Sequence, residues 1–283
     1  MTKRRWREGV GLTALNVFFI ALCFLTLIPI LYALSVSFNG SNSLLSSDFS
    51  FIPRNFTLKN YREVLFGENI TLWFRNTIFL AVVTVFLSLL VAVPAAYCFS
   101  RRRFPGRKAI LRCLVLLNSF PAILSMFAIY RLLRPMGLVN TRLGLILVYT
   151  GTMAVFSLWN TKGYFDTIPK SLDEAAILDG ASNSTVFWKI ILPNSKPVIA
   201  TTAINAFINP IVDYIFVSVI MKDNYNNFTV AKGLYTMVDK TNIYEYYTVF
   251  CAGAVIVAIP VVLLFLRVQK YYVAGVVGGS VKG

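Results

Sequence analysis

Long apolar runs alternate with short basic or polar ones along this chain. Residues 12–37, 74–99, 109–133, 143–160, 198–221 and 247–268 are nearly free of charge. A helix needs about 20 mostly apolar residues to cross a bilayer. The pattern therefore predicts an all-α integral membrane protein with about six transmembrane helices, of which the fourth is the shortest. Pro29, Pro94, Pro121, Pro210 and Pro260 fall inside these runs, where neighbouring helices can re-satisfy the backbone groups that proline frees. The remainder divides into an N-terminal segment 1–11, a loop 161–197 between the fourth and fifth runs, and a tail 269–283.

Composition agrees with that pattern. Hydrophobic residues make up 57% of the 283 and the mean hydropathy is +0.68, above the roughly 45–50% apolar share of soluble domains. The net charge is +15 with no histidine. Such a balance suits nucleic acid or positive loops beside anionic lipid. No basic run carries a nucleic-acid fold signature, so the lipid reading stands. Cys23, Cys98, Cys113 and Cys251 lie in or beside apolar runs with no close pair, which argues against a metal cluster or disulfide framework. The start "MTKRRWREGV" resembles the charged region of a signal peptide. The apolar run after it is too long for one and lacks a small-residue cleavage site, which predicts an uncleaved first span.

Lysine and arginine placement sets the orientation. Lys3, Arg4, Arg5 and Arg7 precede the first run, and Arg101, Arg102, Arg103, Arg107, Lys108 and Arg112 cluster about the second-to-third turn. Both fall on one side, so the positive-inside rule predicts both termini in the cytoplasm. The loop 161–197 then lies in the cytoplasm too.

That loop holds "EAAILDGASNSTVFWKIILP", residues Glu174 to Pro193. Ser171 and Glu174 have capping-box spacing, with Pro169 just upstream. Ala175, Ala176, Ile177 and Leu178 favour helix. Asp179-Gly180 supplies a turn in which glycine takes the left-handed conformation. Ser182 or Asn183 can cap a second short helix, expected to stop before Pro193. The result is a short helix-turn-helix in which Phe187, Ile190 and Leu192 pack on neighbouring spans. On physical grounds it is equally a knob for a groove in a soluble partner and a plain cap with no partner.

The stretch resembles the EAA motif of bacterial ATP-binding-cassette (ABC) importer permeases, EAA-x2-DGA followed by F, I, LP and a later P. Glu174, Ala175, Ala176, Asp179, Gly180, Ala181, Phe187, Ile190, Leu192, Pro193 and Pro197 stand at those places. "FTLKNYREVL" and "AAYCFSRRRFPGRK" resemble the first outer loop and the second-to-third turn of the sugar-importing class. The ending keeps Gly275, Gly279, Val281, Lys282 and Gly283 of the smaller maltose-type permease, with Val276, Val277 and Gly278 departing from it. The resemblance implies a type I ABC importer permease bundle with a cytoplasmic coupling helix. It implies a bacterial inner-membrane protein that forms half of a translocation pathway for a sugar, such as maltose or a maltodextrin. The implied partners are a second related permease, two ATPase subunits and an extracytoplasmic sugar-binding protein. The family's coupling residues map onto Glu174, Ala175, Ala176, Asp179, Gly180, Ala181, Phe187, Leu192 and Pro193. ATP and magnesium belong to the partner ATPases; this chain has no G-x4-G-K-[ST] loop and is expected to be non-catalytic.

Asp213 is the one acidic residue well inside a predicted span, and Asn205, Asn209 and Asp213 share one helix face at spacing four. They suit either a lining of the path or sister-permease contact, or a hydrogen-bond lock between helices. Pro210 beside them predicts a kink. Trp6, Trp73, Trp159 and Trp188 sit near predicted membrane edges and are expected in interfacial belts. The outer loop 222–246 is, by resemblance, the surface met by the binding protein. The tail residues Gly279, Val281, Lys282 and Gly283 are, by resemblance, ATPase contacts. Rival readings are an ion-coupled secondary carrier, an ABC permease for a non-sugar solute, and a membrane enzyme. A carrier would normally bury several ionisable groups, and an enzyme finds no histidine, paired intramembrane carboxylates or metal spacing here.

Overall fold

The computed structural model describes residues 2–40, 51–53, 55–67, 69–222, 224–239 and 242–280, with the side chains of 2–10, 122, 123 and 270–280 outside that description. The elements are α1 (Thr2–Ser37), α2 (Lys59–Arg62) running into a π-turn at Glu63–Gly67, α3 (Ile70–Arg101), α4 (Arg107–Ser119), α5 (Ala122–Leu133) and α6 (Arg142–Thr167). They continue with α7 (Ser171–Leu178), α8 (Asn183–Thr185), a π-turn at Val186–Ile191, α9 (Leu192–Asn194), α10 (Lys196–Val212), α11 (Ile215–Ile220), α12 (Val230–Val238) and α13 (Ile243–Ser280). Extended pairing among the described residues is confined to an isolated bridge between Asn39 and Phe56.

Among the described residues, four helices are long and apolar enough to cross a membrane, within α1, α3, α6 and α13, and α4 with α5 make a fifth when taken as one bent pair. The bend is 105°. Its cause is local: Pro121 pushes Phe120 out of the helical region, to ψ 129°. The run 198–221 is not one helix either. α10 has 17 residues and α11 six, separated where Asp213 takes an extended ψ of 121°. Pro210 itself stays inside α10, and the Asp213 N–H still bonds the Asn209 carbonyl. The break lies three residues past Pro210, at Asp213, and not at the kink expected beside the proline. α6 runs seven residues past the predicted end of the fourth span, and α13 carries helix through residues expected in the tail.

The chain forms two compact units, Met1–Asn69 with Leu234–Ala258, and Ile70–Gly233 with Ile259–Gly283. In the first unit, α1 is apolar on all sides, and none of its most apolar window is buried. The "FTLKNYREVL" segment closes its C-terminal end. Asn60, fully buried, donates to the carbonyls of Ser37 at 3.0 Å and Asn39 at 2.8 Å, while Thr248 donates to its side-chain oxygen at 3.4 Å. The bond to Ser37 satisfies a carbonyl that the last turn of a helix leaves open. Phe38 stacks on Phe56 beside them.

In the second unit, α3 packs on α6 and α10. Its buried face carries a stripe of small residues, Thr77, Ala81, Thr84, Ser88, Ala92 and Ala96, beside Leu80 and Val93. In a membrane, apolar burial adds little between helices, and close backbone approach through small residues supplies the attraction instead. Asn160 on α6 donates to Thr202 on α10 at 3.2 Å. At the far end of α3, Trp73 is fully buried instead of lying in an interfacial belt. Its ring occupies the space a side chain at Gly233 would need, so glycine lets the α12 backbone lie on the indole. Asn76 donates to the carbonyls of Asn226 and Phe228, and Thr77 accepts from the Val230 N–H.

Candidate functional site

The helix-turn-helix anticipated between α6 and α10 is present, with a different start. Lys170 is already helical, with φ −67° and ψ −23°, and no side chain caps α7. Ser171 therefore sits inside the helix, and the capping box with Glu174 does not form. The acidic first turn, Asp173 and Glu174, still favours the helix N-terminus.

Its other end follows the expected turn chemistry. Gly180 has φ +84°. Its N–H donates to the Ile177 carbonyl at 3.0 Å, and that of Ala181 to Ala176 at 2.9 Å. That pair of bonds is the Schellman arrangement, which needs a left-handed residue at the Gly180 position. Ser182, not Asn183, caps the next helix, accepting from the Thr185 N–H at 3.2 Å. That second helix does not stop before Pro193. It widens into the π-turn and continues through Pro193 to Asn194. A proline cannot donate to the carbonyl four residues back and crowds it, and a wide turn gives that carbonyl room.

Two sets of contacts fix this peg to the bundle. The first is apolar: Phe187, Val186 and Ile191 are buried with Val93 and Ala96 of α3 and with Phe165 and Ile168, and Ala176, Ala181 and Leu192 pack around them. Phe187 also meets the Tyr97 ring, with centroids 5.0 Å apart. Burial of each such large side chain contributes roughly 1.5–3 kcal/mol. The second is polar. Arg101, at the end of α3, pairs with Asp173 at 2.7 Å and donates to the Ile168 carbonyl at 3.0 Å. Next to it Ser100 donates to Asp166 at 2.6 Å. Burial lifts the Asp173 carboxyl above the ordinary aspartate value, and the Arg101 guanidinium offsets only part of that rise.

What remains free is the tip. Leu178 is 88% exposed, Ile177 52% and Leu172 45%. Glu174, Ala175, Asp179, Gly180 and Pro193 are exposed with them. The predicted coupling residues thus separate into outward-facing ones and anchors, with Phe187, Ala176, Ala181 and Leu192 facing the chain itself. From the sequence alone Ile177 and Leu178 read as helix formers only, and Leu172 is not singled out. The signal was there: two large apolar residues directly before the Asp-Gly turn stand where a helix end meets water. The Arg101–Asp173 clamp, between residues 72 positions apart, left no such signal.

The second predicted constellation is only partly assembled. Asp213 lies beyond the end of α10, off the helical face of Asn205 and Asn209. Tyr149 donates to its carboxylate at 2.7 Å, and the N–H groups of Phe216 and Val217 do so at 3.4 and 3.3 Å. The carboxylate thereby caps α11 and ties it to α6, the geometry of a hydrogen-bond lock. Asn209 keeps a buried side-chain oxygen without a partner. Of the predicted tail contacts, Gly279 lies in the helical backbone of α13, and Val281, Lys282 and Gly283 lie outside the described residues.

The chain thus combines helices long and apolar enough to cross a membrane with an apolar-tipped peg on the turn between two of its helices. Residues 85–277 match the family described as the binding-protein-dependent transport system inner membrane component. The chain belongs to that family. It is 37% identical to the galactooligosaccharides transport system permease protein GanQ of Bacillus subtilis over 258 residues, or 90% of each chain. It is 34% identical to the maltodextrin transport system permease protein MalD of Streptococcus pneumoniae, over 94% of each. A solved bacterial ABC transporter involved in the import of the acidic polysaccharide alginate matches with a TM-score of 0.76 at 27% identity, over 96% of this chain and 99% of that one. This inner-membrane component therefore has the type I ABC importer permease fold, is multi-pass, and carries the family's EAA motif on the α7–α9 peg.

Proposed function

We propose that this permease forms half of the translocation pathway of a sugar importer whose cargo is an oligosaccharide of the maltodextrin or galactooligosaccharide class. The peg at 174–193 seats in a cleft of a separate ATPase subunit. The observation that carries this reading is an apolar tip, Leu172, Ile177 and Leu178, exposed on a base tied down by a buried apolar cluster and a half-buried ion pair. An exposed apolar tip on a rigid support is what helix-in-groove docking uses. Glu174, Ala175, Asp179, Gly180 and Pro193 make the docking surface; Ala176, Ala181, Phe187 and Leu192 hold it at a fixed angle.

In this reading two ATPase subunits bind ATP and magnesium, and this chain catalyses nothing. A second related permease supplies the other half of the path, and an extracytoplasmic binding protein delivers the sugar. Both termini and the peg face the cytoplasm, which the basic residues around 3–7 and 101–112 support. The span boundaries are 12–37, 74–99, 109–133, 143–160, 198–221 and 247–268, flanked by cytoplasmic segments 1–11 and 269–283. Closure of the ATPases moves the peg and, through α3, α6 and α10, alternates access to a site within the membrane.

The test is uptake by the purified assembly in proteoliposomes. Uptake of maltotriose or galactotriose that continues with an ionophore and stops without ATP is the expected result. Uptake that follows an ion gradient without ATP would replace this reading with a secondary carrier.

A further inference from the structure

Two adjoining cavities, about 330 and 460 Å³, open between α4, α5 and α6 and share Asn118 and Phe156. Their size is that of a small-molecule site. Counted at about 1.5 Å per residue, Asn118 lies about 13 Å inside the apolar run 109–133, while Trp159 and Asn160 stand at the end of the run 143–160, so the cleft opens from membrane depth toward the cytoplasmic edge. The larger cavity is lined by Asn118, Ser119, Phe156, Trp159 and Asn160, with Val115 behind them.

This lining is unusual for a lipid-facing surface. Asn118 has no hydrogen-bond partner among the described residues. Asn160 spends one amide hydrogen on Thr202 and keeps its oxygen to accept. The Trp159 N–H is enclosed without an acceptor, so the indole is held at this wall at the expense of an unmet hydrogen bond. An unpaired amide facing hydrocarbon is costly, whereas a molecule bearing many hydroxyls would satisfy it. The same molecule would need a flat apolar face for the two rings. Pyranose sugars have both, hydroxyls at the rim and C–H groups on the face. A free ion would leave the rings without purpose, and an acyl chain would leave the amides unpaired.

We propose that this cleft is a direct sugar-contacting subsite of this subunit, with Trp159 and Phe156 as stacking platforms and Asn118 and Asn160 as hydroxyl partners. The inference rests on the sugar-importer reading above.

The test uses the full assembly in proteoliposomes with labelled maltotriose and galactotriose. Asn118→Ala and Trp159→Ala should lower the sugar retained in the nucleotide-trapped assembly about tenfold, the loss of roughly one good contact. They should raise the ATP spent per sugar moved by a similar factor, a ratio that a general loss of folded protein would not move. Trp159→Phe should keep most retention. If Trp159→Ala assembles poorly, Asn118→Ala, at an exposed position, decides alone. Wild-type retention and ATP cost in the assembled variants overturn the subsite and leave the importer reading intact. Failure of the wild type to move either sugar overturns both.

Discussion

Leu178 offers a measurement in which binding and folding come apart. Its side chain is 88% exposed on the last turn of α7, so shortening it removes almost nothing from the permease itself. If the tip seats in a cleft of the ATPase, that surface is buried on docking. Leu178→Ala deletes three carbons, worth about 0.8 kcal/mol each when fully buried. Scaled by the exposed share, the loss is about 2 kcal/mol, or about thirtyfold in Kd. Leu178→Asp should weaken docking further, because a carboxylate would have to be desolvated. The assay is titration of purified ATPase subunit onto the permease in lipid nanodiscs, with the thermal midpoint of the permease as control. The midpoint should hold while Kd rises. A change below about threefold in both variants would refute the docking tip.

Other substitutions probe its support and the lock at Asp213. Gly180→Pro cannot reach φ +84° and loses the N–H that bonds Ile177; the chain should still insert in the membrane, but ATPase co-purification and sugar uptake should fall to background, and normal values for both would count against the coupling role. Arg101→Met should cost about 1–3 kcal/mol by leaving a half-buried carboxylate without its partner. Asp173→Asn should cost less: with the Asp173 pKa raised above 3.8, this group's stabilising effect is full at low pH and fades as pH rises through its folded pKa, so at neutral pH the charged form is a burden. The double change should recover most of the loss, and additive effects on thermal midpoint would show that the two groups do not act as a pair. Asp213→Asn keeps an oxygen to accept from Tyr149 or the α11 N–H groups but loses the charge, so stability should drop by about 1–2 kcal/mol and transport should change while the subunits still assemble; unaltered uptake over a range of sugars would leave Asp213 as a structural lock alone.

Much of this arrangement is legible in one dimension, because bilayer thickness and turn chemistry act locally. Runs nearly free of charge disclosed the apolar helices, and Asp179-Gly180 disclosed a left-handed turn that the chain adopts. The EAA pattern placed the peg. Long-range pairing was beyond reach. Nothing near Trp73 in the chain says that Gly233 will open a berth for it, so an interfacial belt was the natural expectation. Asp213 lies at helical spacing from Asn209, but the break after Pro210 takes it off that face. Ser171 has the right neighbour for a capping box, and Lys170 forestalls it by starting the helix one residue earlier.

The π-turn at Val186–Ile191 makes the number of residues in this stretch as consequential as their chemistry. An ordinary helix advances about 100° per residue, so excising any one of these six would swivel the preceding segment by nearly a third of a revolution. Phe187 would leave Tyr97 and the pocket against α3, and the tip of α7 would aim elsewhere with every one of its own atoms unchanged. Single-residue deletions here should therefore uncouple the transporter as thoroughly as loss of the tip, while conservative replacements at Val186 or Ile190 pass with little effect.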